Sequence, residues 1–249
     1  MRHLIVLWGL LILMAVPGGH TAAAATLAQA DQLLFHPQVD KDKALQAYSM
    51  YESLLPATGE PRLVILTRLA QASFFLGDLA EKGQRRWYYE QGRQHAQTIL
   101  QEFPQRVEGY YWLGLNLAGL ADVNRLQGMR LLPKIMQSLE QAAAIDPGYD
   151  QAGAYRVLGR IYYEAPGRPL SVGNLAKSLQ LLQQAAHLAP ANSTNLLYWG
   201  EALLKADRPE QAKEVLQRVL TATQNADGPR GLEVDRHRAV ELLSQLPGK

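Results

Sequence analysis

Cysteine is absent from this 249-residue sequence, and neither sign of charge dominates it. Without cysteine the chain can form no disulfide, thiolate metal site or thiol nucleophile, and no N-terminal cysteine can be lipidated. Lysine and arginine number 25 against 23 aspartates and glutamates, a formal net charge of +2. That charge is too small to indicate nucleic acid or an anionic membrane as the main partner.

Familiar catalytic motifs are also missing. The histidines are scattered without metal-ligand spacing, and the sequence has no H-E-x-x-H, G-x-S-x-G, Walker phosphate loop or dinucleotide fingerprint. We therefore predict a protein that is not an enzyme, with no cofactor and no metal; a hydrolase in an all-α frame is the remote alternative. Residues 85–89 mix arginines with aromatics, but the segment is short and flanked by Glu81 and Glu90. We predict a subunit contact or groove lid there rather than a nucleic-acid site.

The first 25 residues have the features of a secretory signal. A basic start precedes an apolar run from Leu4 to Val16, and a Pro-Gly-Gly turn leads to four alanines at 22–25. The run is shorter than the roughly 20 residues that cross a bilayer, and the alanines fit the cleavage rule for exported proteins. We predict a periplasmic protein that begins near Thr26 and, lacking cysteine, is not a lipoprotein. A retained membrane anchor is the alternative.

The rest of the chain, residues 26–249, repeats itself. Four segments share a packing residue followed five positions later by proline, at Pro56, Pro104, Pro147 and Pro190, and a fifth lacks the proline. Upstream glycine or alanine lets two helices approach closely, and proline ends the second helix. Apolar residues recur at spacings of three and four. The pattern resembles the tetratricopeptide repeat and predicts a single all-α domain, a solenoid of about five degenerate helical hairpins.

Three of these hairpins are longer than the tetratricopeptide consensus. Their surplus residues predict insertions near 81–90, 124–132 and 165–171. Insertions at equivalent places in a solenoid emerge on one side, which is often the binding side. The insertions are therefore a first indication of where a partner could bind.

A central block has a narrower resemblance. It contains Glu-Gly-Tyr-Tyr-Trp-Leu-Gly-Leu-Asn at 108–116, Pro-Lys-Ile at 133–135, Asp-Pro-Gly-Tyr-Asp at 146–150, Gly-Ala-Tyr-Arg-Val-Leu-Gly-Arg-Ile-Tyr-Tyr at 153–163 and Leu-Tyr-Trp-Gly-Glu at 197–201. In order and spacing these segments resemble the T-component family of TRAP transporters, the TatT-like periplasmic helical-repeat proteins, over roughly residues 40–220.

The resemblance implies a non-enzymatic accessory subunit of a TRAP system. Such a subunit binds the periplasmic solute-binding protein, assembles as a homo-oligomer and has a ligand-sized cleft. Members of the family are often lipoproteins, whereas this chain has no cysteine to acylate. A generic exported repeat adaptor or scaffold in envelope or polysaccharide assembly is the alternative function.

Candidate binding residues follow from the expectation that the first helices of the hairpins line a concave surface. Aromatic and aliphatic walls with a few charges suit a small amphiphilic or carboxylated ligand, or a partner's helix or loop. The candidates from this count are Phe74, Tyr111, Arg156, Arg160, Tyr163 and Glu201. The resemblance alone adds Asn116 and Lys134, and Tyr111 and Tyr163 could equally pack between helices.

Arg156 and Arg160 are four residues apart and project from one helical face. Two guanidinium forks side by side could hold a carboxylate bidentately. The alternative is a structural network in which the arginines pair with Asp150, Glu164 or an acid of another repeat such as Glu201.

Overall fold

A computed structural model describes residues 26–167, 169–225 and 228–246, and the predicted signal segment 1–25 lies outside them. The described residues form the helices α1 (Leu27–Leu34), α2 (Lys41–Ser53), α3 (Gly59–Leu79), α4 (Lys82–Glu102), α5 (Val107–Val123), α6 (Arg125–Ile145), α7 (Tyr149–Glu164), α8 (Leu175–Leu188), α9 (Ser193–Lys205), α10 (Pro209–Thr221) and α11 (Gly228–Ser244). They contain isolated β-bridges but no β-strand, which confirms the all-α prediction. Within the same residues, no helix is both long and apolar enough to span a bilayer.

Consecutive helices pack as hairpins. The pairs are α1–α2, α3–α4, α5–α6, α7–α8 and α9–α10, and α11 packs on α9 and α10 in the position of a further first helix, as α5 packs on α3 and α4. First helices of neighbouring hairpins also touch, as α3 with α5, α7 with α9 and α9 with α11. The predicted solenoid of five helical hairpins is therefore confirmed.

In three hairpins, α5–α6, α7–α8 and α9–α10, the helices approach closely where a glycine of the first helix faces a leucine of the second. A Cβ atom on Gly159 would lie 2.6 Å from Leu182 Cγ, and one on Gly200 would lie 2.6 Å from Leu216 Cδ2. Both leucines are fully buried. The missing side chain thus sets the short distance between the paired helices, as the repeat pattern predicts.

Two of the three predicted insertions lengthen helices instead of forming loops. Residues 81–90 include the first turns of α4 and residues 124–132 those of α6, and each of these helices has 21 residues. Residues 165–167 and 169–171 lie in the connection between α7 and α8. The extra length therefore lies at the start of the second helix of a hairpin, or just before it.

Replacing Gly159 with valine is expected to lower the free energy of unfolding by about 1–3 kcal/mol, because the added atoms overlap Leu182. Gly83→Val is the matched control, since a Cβ atom there meets nothing within 4 Å. Its effect is expected to stay within about 0.5 kcal/mol. Urea unfolding measures both; equal stabilities of the two variants would contradict the role of Gly159 in closing the hairpin.

A tyrosine–histidine pair ties α2 to α4. The Tyr48 hydroxyl lies 2.9 Å from His95 Nε2, and the ring centroids are 6.0 Å apart. Burial lowers the pKa of His95 to about 4. Burial, together with the nearby Glu52 carboxylate, raises the pKa of Tyr48. Both side chains are therefore neutral at pH 7.

The protein is expected to lose about 2–3 kcal/mol of stability as the pH falls from about 6.5 to about 4. Below pH 6.5 the unfolded chain protonates His95, whereas the folded chain resists until its lowered pKa is reached, so acid favours unfolding. Below pH 4 the contribution levels off. Urea unfolding at successive pH values measures it, and in His95→Gln this part of the slope should vanish. An unchanged slope in that variant would show that groups other than His95 cause the loss of stability in acid.

Candidate functional site

Three successive first helices, α7, α9 and α11, bring charged and aromatic side chains to one surface. Arg160 Nη1 lies 2.5 Å from Glu201 Oε2, and Arg238 Nε lies 3.4 Å from Glu201 Oε1. An acid of α9 thus joins arginines of α7 and α11. The residues of this surface, the α7–α9–α11 face, are Arg160, Tyr163, Tyr198, Glu201, Lys205 and Arg238.

Tyrosine rings hold the cations of this face. The guanidinium carbon of Arg160 lies 4.8 Å from the Tyr163 ring centroid and 4.4 Å from that of Tyr198. Lys205 Nζ lies 4.2 Å from the Tyr163 centroid and donates a 2.7 Å hydrogen bond to the Tyr163 carbonyl. Burial raises the pKa of Tyr163. The positive groups are positioned in advance, which lowers the entropic cost of binding a partner there.

Arg156 does not join this face, although it shares the helix with Arg160. Only 6% of the residue is exposed. Its Nη2 lies 3.0 Å from Asp150 Oδ2, and its Nη1 donates to Asn195 Oδ1 at 3.1 Å. Arg160 likewise pairs with Glu164, at 2.5 Å. Both arginines therefore belong to a structural network of ion pairs and hydrogen bonds. The prediction that their two guanidinium groups lie side by side and open to a carboxylate ligand is wrong.

The buried arginine stabilises a left-handed turn at the start of α7. Asp150, Gln151 and Ala152 have φ values of 49°, 55° and 62°, a conformation that costs a non-glycine residue about 1–2 kcal/mol. Arg156 Nη1 donates to the carbonyls of Asp150 and Gln151, and Asn195 Nδ2 donates to the Gln151 carbonyl at 2.9 Å. No sequence signal marks this turn, because its residues are not glycines.

Three other candidates belong to the packing of α5 against α3, α4 and α7. Tyr111 is buried, and its hydroxyl donates to the Asp150 carboxylate; burial raises the pKa of Tyr111 well above its usual range. Phe74 packs against Trp112, with ring centroids 6.2 Å apart. Asn116 is fully buried, and its amide donates to a backbone carbonyl of α3 at 3.2 Å. Tyr111 and Asn116 are thus out of reach of a partner.

Lys134 is exposed on α6, the second helix of its hairpin, and is not part of the α7–α9–α11 face. Of the eight candidates, the structure brings Arg160, Tyr163 and Glu201 together at one surface. Sequence reasoning missed Tyr198 and Arg238 as members of this face. Within the part of the chain that the structure describes, no group of three or more potential ligand side chains could hold a metal ion.

Replacing Arg156 with methionine is expected to lower the free energy of unfolding by about 3 kcal/mol, because it leaves the Asp150 carboxylate and the left-handed turn without their buried partner. Arg160→Met is the control on the same helix; its ion pairs are partly solvated, so we expect about 1 kcal/mol or less. Denaturant unfolding compares them. A larger loss for Arg160→Met would reverse the assignment of the two arginines.

Family models match two stretches of the chain. The family described as Regulator of microtubule dynamics protein 1-3 matches residues 26–167, more than half of the chain. A tetratricopeptide-repeat model matches residues 170–232, which confirms the tetratricopeptide-like prediction. Neither description is that of an enzyme family. No curated protein matches the chain.

Solved structures share the architecture. The crystal structure of TTC0263, a thermophilic TPR protein in Thermus thermophilus, matches with a TM-score of 0.63 and 19% sequence identity, over 86% of this chain and 97% of that one. At this identity the likeness shows the fold alone. Stacked repeats of this kind generally mediate protein–protein interaction through extended surfaces. The chain therefore belongs to the family described as Regulator of microtubule dynamics protein 1-3, and its helical hairpins are tetratricopeptide-like repeats.

Proposed function

We propose that the chain is a non-enzymatic scaffold that binds a protein partner through the α7–α9–α11 face. The observation that carries the proposal is the line from Arg160 through Glu201 to Arg238, which crosses three successive first helices. Arginine and tyrosine are enriched at the centres of protein interfaces. A surface built from three helices is long enough to hold an extended loop or a helix of a partner.

Exposed cations and tyrosine rings give the face two kinds of contact. Arg238 and Lys205 remain accessible, so each can pair with a carboxylate of the partner at little desolvation cost. Tyr163 and Tyr198 add rigid apolar area with few rotatable bonds to order. Glu201 is held between two arginines, so its charge is neutralised within the face.

We further propose that the partner is the periplasmic solute-binding protein of a TRAP transporter, and that residues 1–25 direct export to the periplasm. Two sequence features support this proposal: the order and spacing of the motifs between residues 108 and 201, and the signal-like character of residues 1–25. Binding of a small amphiphilic or carboxylated ligand and assembly into a homo-oligomer belong to the same proposal. An exported adaptor in envelope or polysaccharide assembly would use the same face with another partner.

Calorimetric titration of the protein with the TRAP solute-binding protein of the source organism tests the partner. Replacing both Tyr198 and Arg238 with alanine is expected to raise the dissociation constant at least about tenfold, by removing a ring and a charge from the face. Arg218→Ala, an exposed arginine on α10, is the matched control and should leave affinity unchanged.

The two parts of the proposal fail separately. Absence of binding by the unaltered protein would rule out the TRAP solute-binding protein as the partner. Equal affinity of the double variant and the unaltered protein would rule out the α7–α9–α11 face as the binding surface. Export is tested by fusing residues 1–25 to a reporter enzyme and fractionating the cells. Reporter activity that stays in the cytoplasm would overturn the periplasmic location.

A further inference from the structure

A second surface, independent of the α7–α9–α11 face, lies between α6 and the connection from α7 to α8. Two adjoining cavities of about 590 and 450 Å³ open there and share Met136 as a lining residue. Together they form a trough. Its apolar side chains are Met129, Leu132, Pro133, Met136, Leu170 and Val172.

Both walls of the trough come from segments that depart from the repeat consensus. One wall is the first half of α6, which contains the insertion predicted near 124–132, and the other is formed by residues 170–174, which overlap the end of the insertion predicted near 165–171. Met129 is 68% exposed on one wall and Leu170 is 76% exposed on the other. Large apolar side chains left open on both rims of a concavity are typical of an interaction site.

The wall on α6 has the pattern of a helix-binding stripe. Met129, Pro133 and Met136 follow at spacings of four and three, and an adjoining side of α6 buries Ile135 and Leu139 in the core. The lining residues run from Met129 to Glu140, a length of about 16 Å or three helical turns. Methionine side chains adapt to the shape of an incoming apolar face.

Positive charge surrounds this apolar trough. Arg130 and Lys134 are exposed beside the stripe, one turn apart on its flank. Lys177 lines the other wall, where its Nζ lies 4.5 Å from the Tyr162 ring centroid. Among the described residues, no carboxylate forms an ion pair with any of these three cations. The only acidic side chain among the lining residues is that of Glu140, so the three cations outnumber it. The trough therefore complements a partner that is apolar on one face and acidic on its flanks.

We infer that the trough is a docking site for an acidic amphipathic helix of a partner protein. The helix lays its apolar face on Met129, Met136 and Leu170, and its carboxylates reach Arg130, Lys134 and Lys177. Pro133 has no N–H to donate to the carbonyl of Met129, so that carbonyl can accept a hydrogen bond from a side chain of the docked helix. The scaffold therefore has two faces and can hold two partners at once.

A fluorescent peptide of about 18 residues tests the site, with leucines at helical spacing and glutamates on both flanks. It is titrated into the full chain by fluorescence anisotropy, beside a peptide in which lysines replace the glutamates. The acidic peptide is expected to bind. Met129→Ser with Leu170→Ser should weaken it at least about tenfold. Val240→Ser, at an exposed apolar residue of α11, is the matched control. Arg130→Ser with Lys134→Ser should weaken binding and flatten its salt dependence.

Each contrary result has a distinct meaning. Equal binding of the lysine peptide, or equal affinity of the Met129→Ser, Leu170→Ser variant, would overturn the inference. Sedimentation that shows a dimer lost in that same variant would assign the trough to a second copy of the chain. Binding of dodecanoate without binding of the acidic peptide would assign it to a small amphiphile. The last two outcomes would replace the inferred occupant and leave the α7–α9–α11 face untouched.

Discussion

Close approach of two helices at a glycine is the constraint on which the rest of this structure depends. Where Gly159 faces Leu182, the absence of one side chain lets the leucine fill the space between the helices. Because the same arrangement recurs at Gly200 and Leu216, the two neighbouring hairpins close in the same way. That regularity places the first helices α7, α9 and α11 side by side, and only then can Arg160, Glu201 and Arg238 form a continuous line.

Buried polar groups fix how successive hairpins are oriented. Asn195 of α9 touches both Arg156 and the Gln151 carbonyl, so the left-handed turn of one hairpin is bound by the first helix of the next. Apolar packing alone has no such directional preference, whereas hydrogen bonds to buried groups do. Arg156, one of the two predicted ligand-binding arginines, therefore orients the scaffold, and Arg160 one turn later remains at the surface.

The fold could be predicted from the sequence because its determinants are local: small residues, terminal prolines and helical spacing of apolar residues. The site could be predicted only in part. Arg156 and Arg160 lie four residues apart on one helical face, yet the turn at residues 150–152 draws one of them inward, and no glycine in that turn indicates its conformation. The predicted insertions indicated the region of the trough beside α6. Its lining residues could not be predicted, because the trough forms only where residues about 40 positions apart, such as Met129 and Leu170, come together in the fold.

Helix length is unequal along the solenoid. Helices α3, α4 and α6 each have 21 residues, whereas α8, α9 and α10 have 14, 13 and 13. In a one-dimensional array the seam between neighbours determines how strongly they are coupled, so we expect weaker coupling among the short helices α8, α9 and α10 than among α3, α4 and α6. A partner protein bound across α7, α9 and α11 would contact all three helices at once. Its binding would therefore reduce local opening among these helices.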